Sequence, residues 1–230
     1  MRNENFYKRC TMNNKFPAIL PGMALLFFFP MYMMGQTETA KIFFSSDTVP
    51  AIYLGIDFTR AKLINDEKSD PKIIQSEQFN GINDLIIHEN KKYDVQEAMH
   101  RKYWTVDRAE VESRNLKTNF DSLKSSNEND LYRLDKTDID NLVSHFNYGN
   151  HTGYGVLLIV EGMSKTKKII TIWFTIIDIN SKKVLFASLV EGKLGSGFGF
   201  RNYWASAIKN AIGEVKSDKY EAWKTSAGVK

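Results

Sequence analysis

Gly155-Val156-Leu157-Leu158-Ile159-Val160-Glu161-Gly162-Met163, then Ile169-Ile170-Thr171-Ile172-Trp173-Phe174-Thr175-Ile176-Ile177-Asp178-Ile179, is the stretch that decides the fold of this 230-residue chain. The first run is apolar almost throughout. In the second, Ile170, Ile172, Phe174 and Ile176 take one face, and Thr171, Trp173, Thr175 and Ile177 the other. Period-two alternation of β-branched and aromatic residues marks a strand, and an apolar residue on both faces marks a strand covered on both sides. Ser164-Lys165-Thr166-Lys167 separates the two runs, and Asn180-Ser181-Lys182 separates the second from a third strand, Val184 to Val190. Connections that short join antiparallel neighbours, so the spacing predicts a three-stranded antiparallel meander.

Beyond the meander the chain bends through Gly192-Lys193-Leu194-Gly195-Ser196-Gly197-Phe198-Gly199 and becomes helical. Trp204, Ala207, Ile208, Ala211, Ile212 and Val215 fall on one face at spacings of three and four, and Tyr220 and Trp223 continue it. This amphipathic helix is predicted to pack across the meander, with Trp204 and Ile208 as core anchors.

Upstream, Ala51 to Phe58 reads as a strand after Pro50. Ser69-Asp70-Pro71 reads as a helix start, with a cap oxygen and a proline where no N–H is needed. Phe79, Ile82, Leu85 and Ile86 give that helix its buried face. Val95 to Arg101 is a second short helix, and Tyr103 to Val106 is an extended piece reaching towards Val111. Thr137-Asp138-Ile139-Asp140 has a capping-box spacing ahead of Ile139, Leu142, Val143 and Phe146. Lys124 to Asp130 is polar and reads as a loop or a short disordered insertion. The expected class is therefore α/β (α+β): a mixed sheet ending in the meander, covered by helices, in one domain over residues 36–230.

The order of these elements, with Asp178 and Lys182-Lys183-Val184-Leu185 at the second turn, resembles the α/β domain shared by three kinds of envelope protein. These are curli-secretion lipoproteins, the amino-terminal part of the Tol-system β-propeller protein, and lipoprotein activators of cell-wall synthases. The resemblance spans about residues 50–215 and implies a protein that binds or assembles without catalysis. This chain differs from many of them in having no cysteine placed to carry a lipid: its single cysteine, Cys10, precedes the apolar leader.

That leader, residues 1–35, has the build of an export signal. Arg2, Lys8, Arg9 and Lys15 precede an uncharged stretch from Phe16 to Met34, and Gly35 precedes Gln36. Pro17, Pro21 and Pro30 interrupt the stretch, which suits a short cleaved core better than a bilayer span. Cleavage near Gly35-Gln36 would leave an exported chain, periplasmic or extracellular. An inner-membrane anchor over residues 16–34 is the alternative. The leader holds four of the 31 basic and one of the 27 acidic residues, so the remainder carries a net charge of +1. A near-neutral surface argues against nucleic acid as a partner. No disulfide or cysteine-based zinc site is available after residue 35.

No motif commits the chain to a reaction or a cofactor. The glycine-rich bend lies where a phosphate cradle sits, but it has neither Walker spacing nor a dinucleotide fingerprint, and it reads first as a flexible bend requiring positive φ. Its residues Gly195, Gly197, Phe198, Gly199, Phe200, Arg201 and Tyr203 are the candidate contact surface for an envelope protein or a glycan. His88, His100, His145 and His151 lack ligand spacing, and Asp130, Asp135, Asp138 and Asp140 lack that of a calcium loop. The expected function is a non-catalytic binding or assembly domain of the bacterial envelope. The alternative is a small hydrolase acting on cell-wall or glycan material through paired carboxylates, for which Glu161 and Glu191 are the residues to check. Oligomeric state is not encoded in any of these signals.

Overall fold

The computed structural model describes residues 32–229, with side chains described from residue 38. The leader up to Met31 therefore lies outside the described residues. The chain begins with helix α1, Tyr32–Ser45, which runs through the Gly35-Gln36 junction and buries Ala40, Phe43 and Phe44.

The fold is mixed α/β around one seven-stranded sheet. Strand β5, Tyr154–Ser164, is its axis. On one side β1, Ala51–Asp57, and the short β2, Lys62–Ile64, lie end to end along β5, both parallel to it. Outside them, β3, Trp104–Val106, pairs parallel with β1, and β4, Lys124–Ser125, pairs parallel with β2. On the other side β6, Ile169–Asp178, pairs antiparallel with β5, and β7, Lys183–Lys193, pairs antiparallel with β6. Every residue of β5 after Tyr154 and every residue of β6 before Asp178 is buried.

Two apolar layers cover the sheet. One contains Val156, Leu158, Val160, Ile170, Ile172, Phe174 and Ile176 from the strands. Against them pack α1, α3 (Phe79–His88), α4 (Val95–Ala98), α7 (Gly199–Glu214) and α8 (Tyr220–Ser226). The other layer joins Leu157, Ile159, Trp173 and Ile177 to Val111 of α5, Ala109–Asn115, and to Ile139, Leu142 and Val143 of α6, Lys136–Ser144.

Both long helical segments contain a π-helical turn. The first begins as α2, Pro71–Ile73, whose cap Asp70 accepts from the Lys72 N–H at 2.8 Å. It passes through Ile74–Gln78 in π geometry and continues as α3. The last passes from α7 through Val215–Lys219 into α8. Each π turn sets buried residues five apart, Ile74 with Phe79 and Val215 with Tyr220. An α-helix of 3.6 residues per turn would rotate the second of each pair off the buried face.

Four expectations need correction. Val111 lies in helix α5 and does not extend β3, because Asp107 accepts from the Ala109 N–H and opens a helix there. The capping box of α6 is Asp135 with Asp138, two residues ahead of the Thr137–Asp140 pair, because the Asp135 carboxylate is the oxygen that meets the Asp138 N–H. The Lys124–Asp130 patch is ordered: Lys124 and Ser125 pair with Leu63 and Ile64, and Glu128–Leu131 forms a 3-10 turn that buries Leu131. The short helix after Asp94 ends at Ala98 instead of Arg101.

Candidate functional site

The glycine-rich bend is a braced structure. Gly195 donates to Ser206 Oγ at 2.9 Å, and that hydroxyl donates to the Tyr203 carbonyl at 2.6 Å. The Asn202 side chain donates to the Phe198 carbonyl at 3.1 Å, and Asn210 to the Lys193 carbonyl at 2.6 Å. Of the glycines in this stretch, only Gly199 has a positive φ, +77°. Gly192 and Gly197 are needed for proximity: a Cβ at either would strike the backbone of α7, at Ala207 and Asn202 respectively. The expected positive φ is thus confined to Gly199, while Gly192 and Gly197 serve the close packing of strand, bend and helix.

The candidate residues separate into two sets. Phe200 and Tyr203 turn inward and are partly buried against the core, each meeting Trp204 edge-on. Phe198 is 96% exposed. It precedes α7 without capping it through a side chain. Arg201 is exposed, with its guanidinium against Gly81 of α3, and it has no ion pair among the described residues. Two clefts flank Phe198. One, of about 440 Å³, lies between the start of α2 and the start of α7 and is lined by Asp70, Ile73, Phe198, Phe200 and Arg201. The other, of about 460 Å³, is lined by Tyr93, Gly195, Phe198, Ser206 and Lys209. Ile73, 48% exposed, is with Phe198 the second exposed large apolar side chain of the first cleft, and sequence reasoning missed it. Its sequence signal was the Ile73-Ile74 pair, of which only Ile74 turns into the core.

The arrangement offers two exposed apolar side chains, a cation and exposed backbone on a rigid support. It presents hydrophobic anchors with a charged rim, which is how protein-recognition surfaces concentrate binding energy.

The carboxylates singled out for hydrolysis are engaged elsewhere. Glu161 is fully buried in β5; one oxygen accepts from the Leu134 N–H and the other from Trp173 Nε1, at 2.9 Å for the latter. Burial pushes its carboxyl above the ordinary 4.5, although these donors act in the opposite direction. Glu191 is exposed in β7 and accepts from the Tyr132 hydroxyl at 2.6 Å. That bond, before burial, raises the Tyr132 phenol to about 12. The histidines serve local contacts. His88 and His145 meet the carbonyls four residues before them, His100 stacks on Tyr220, and His151 meets Asp107 at 2.5 Å. Among the described residues, no three His, Cys, Asp or Glu side chains gather to hold a metal ion, and no helix is long and apolar enough to cross a membrane.

No family model matches the chain, and no curated protein matches it.

Proposed function

We propose that this chain is an exported, non-catalytic binding domain of the bacterial envelope that docks a partner protein through the face around Phe198. The observation that carries the reading is a 96% exposed phenylalanine on a braced bend, lining one cleft with Ile73 and with Arg201, which has no ion pair among the described residues. A large apolar side chain held in water by a rigid support gains most when a partner covers it, and little ordering entropy opposes the gain. Of the neutral polar side chains that line the two clefts, Ser69, Asn202, Ser206 and Asn210 already donate within the protein, which favours protein over glycan as the partner. In this reading the β5–β6–β7 meander, with α7 laid across it, is the platform that fixes the bend.

Export is supported by the composition of residues 1–35 and by what a cut at Gly35-Gln36 would leave intact. The buried α1 side chains, Ala40, Phe43 and Phe44, all follow the cut. The order of elements supports kinship with the curli-secretion, Tol-system and synthase-activator domains. Glu161, with both oxygens occupied by buried donors, gives the hydrolase alternative no support.

The test is affinity capture from envelope extract with the wild-type chain and the Phe198→Ser, Ile73→Ser double variant, whose unchanged thermal melt certifies its fold. Loss of one discrete partner protein from the variant is expected. Equal recovery by both would overturn the docking face. Mass spectrometry of the exported protein should find Gln36 at its amino terminus; an intact Met1 in a soluble cytosolic fraction would overturn export.

A further inference from the structure

Strand β7 ends the sheet, pairing with β6 alone. One step beyond the Ile169–Lys193 pair, the Leu194 N–H donates to the Lys168 carbonyl at 2.8 Å. Residues of an antiparallel strand alternate between backbones that bond the neighbour and backbones that face away. The register is regular from Phe186 to Lys193, so Phe186, Ser188, Val190 and Gly192 bond β6. Ala187, Leu189, Glu191 and Lys193 therefore turn their N–H and C=O groups outward. Asn210 of α7 donates to the outward Lys193 carbonyl at 2.6 Å. Among the described residues, no other hydrogen bond reaches this outward row. A row of unpaired backbone groups is a template for an added strand.

A groove of about 680 Å³ runs beside this edge. Its strand side is Leu189, Glu191 and Lys193, three of the residues whose backbones face outward; its helix side includes Lys209 and Gly213 of α7. Gly213 is exposed inside a continuous helical segment, where glycine is less stable than alanine, and an added Cβ there would meet nothing within 4 Å. Packing within the fold gives no reason for this glycine, whereas close approach of a second backbone does. The groove also has a charge preference. Lys193, Lys209 and Lys219 line it without an ion pair among the described residues. Against them stand Glu214 and Glu191, and Glu191 already accepts from the Tyr132 hydroxyl.

We infer that β7 receives an extended segment of a partner protein as an eighth strand, laid in the groove beside α7 and carrying acidic side chains. Backbone hydrogen bonds to the outward row hold the segment, and the three lysines select its charge. A second copy of the chain fits less well. Gly192 packs directly on Ala207, so α7 lies over β7. Joining two β7 strands about a two-fold axis would set two such helices on one face over strands about 4.7–4.9 Å apart, where packed helices need about 8–10 Å.

The test uses the full chain and three fluorescein-labelled heptapeptides, read by anisotropy: alternating valine and aspartate, the same with lysine for aspartate, and the aspartate peptide with a central proline. The aspartate peptide should bind saturably, and the other two at least about tenfold more weakly. Glu191→Pro removes an N–H that faces solvent and keeps the β6 ladder, so its thermal melt certifies the fold. It should weaken the aspartate peptide at least about tenfold, although it removes a negative charge. Gly213→Ala should weaken binding severalfold while making the chain more stable, which separates binding from folding. Gly213→Trp, which fills the groove, should abolish binding. Absence of saturable binding by the aspartate peptide would overturn the inference. So would equal binding of the lysine peptide, or undiminished binding in Glu191→Pro or Gly213→Trp. A dimer of the chain that Glu191→Pro dissociates would put a second copy on the edge and overturn the partner segment. The Phe198→Ser, Ile73→Ser variant leaves this groove intact, so the Phe198 face stands or fails separately.

Discussion

Replacing Gly192 by alanine should separate strand β7 from helix α7. A Cβ at this position would overlap the Ala207 carbonyl oxygen, lie 2.9 Å from the Ala207 carbonyl carbon and 3.0 Å from the Ala211 methyl. Ordinary carbon contacts begin near ~3.5 Å, and the atoms in the way are mostly backbone, which cannot rotate aside. Helix α7 must therefore retreat, and Trp204, Ala207, Ile208 and Ala211, all fully buried, lose contact with the sheet together. Overpacking costs about 1–3 kcal/mol, and a backbone clash belongs at the upper end. Removing a glycine returns about 0.5–1 kcal/mol of chain entropy, so the net loss should be about 2–2.5 kcal/mol. Gly213 in the same helix is the control, because nothing lies within 4 Å of its added Cβ. Gly213→Ala should stabilise by about 0.5–1 kcal/mol. Urea and thermal unfolding followed by tryptophan fluorescence read both. At about 2–4 °C per kcal/mol, Gly192→Ala should lower Tm by about 4–10 °C and Gly213→Ala should raise it slightly. Equal shifts, or a Gly192→Ala effect under about 0.5 kcal/mol, would refute the packing of α7 on β7.

Arg101 fastens three elements: it donates to the Met99 carbonyl at 2.8 Å, the Phe43 carbonyl at 2.9 Å and the Tyr220 hydroxyl at 2.8 Å, and lies 4.3 Å over the Phe43 ring. Arg101→Met leaves those buried groups unpaired and should cost about 2–4 kcal/mol in urea unfolding, with α1 becoming the first site of proteolysis. Glu161 gives a pH signature. Its folded carboxyl titrates above the ordinary 4.5, so its contribution to stability is complete below 4.5 and is lost as the pH rises from there through its folded value. The stability of wild type minus that of Glu161→Gln should fall with rising pH over that window; a constant difference contradicts the assignment. At α6, Asp135→Ala should cost about 1 kcal/mol and Thr137→Ala close to nothing, read by thermal melts; the reverse order would restore Thr137 as the cap.

Much of the sheet was legible because burial on both faces leaves a strong mark. Ile170 to Ile177 alternates with period two and is apolar on both sides, and the structure buries all of it. The last helix was legible up to Val215, and its continuation through Tyr220 and Trp223 was readable only as apolar recurrence. The five-residue step from Val215 to Tyr220 is a π turn, which period 3.6 does not anticipate. Strands β2 and β4, at three and two residues, are too short to show any period; pairing of β2 with β5, and of β4 with β2, makes them strands. Helix α1 is hard to read from sequence because its first residues, Tyr32 to Gly35, belong to the apolar leader, although Ala40, Phe43 and Phe44 have helical spacing. In the bend, Phe200 and Tyr203 sit four residues before Trp204 and Ala207, so their inward turn was encoded in the helix period. The sharing of one cleft by Phe198 and Ile73 was not, since only the tertiary fold brings the starts of α2 and α7 together.

The most direct test of the docking face is photocrosslinking in living cells. A benzoylphenylalanine at position 198 should give one discrete protein adduct in the envelope fraction, and the same group at position 213 should give none. Identical patterns from both positions, or no adduct from position 198, would contradict the account.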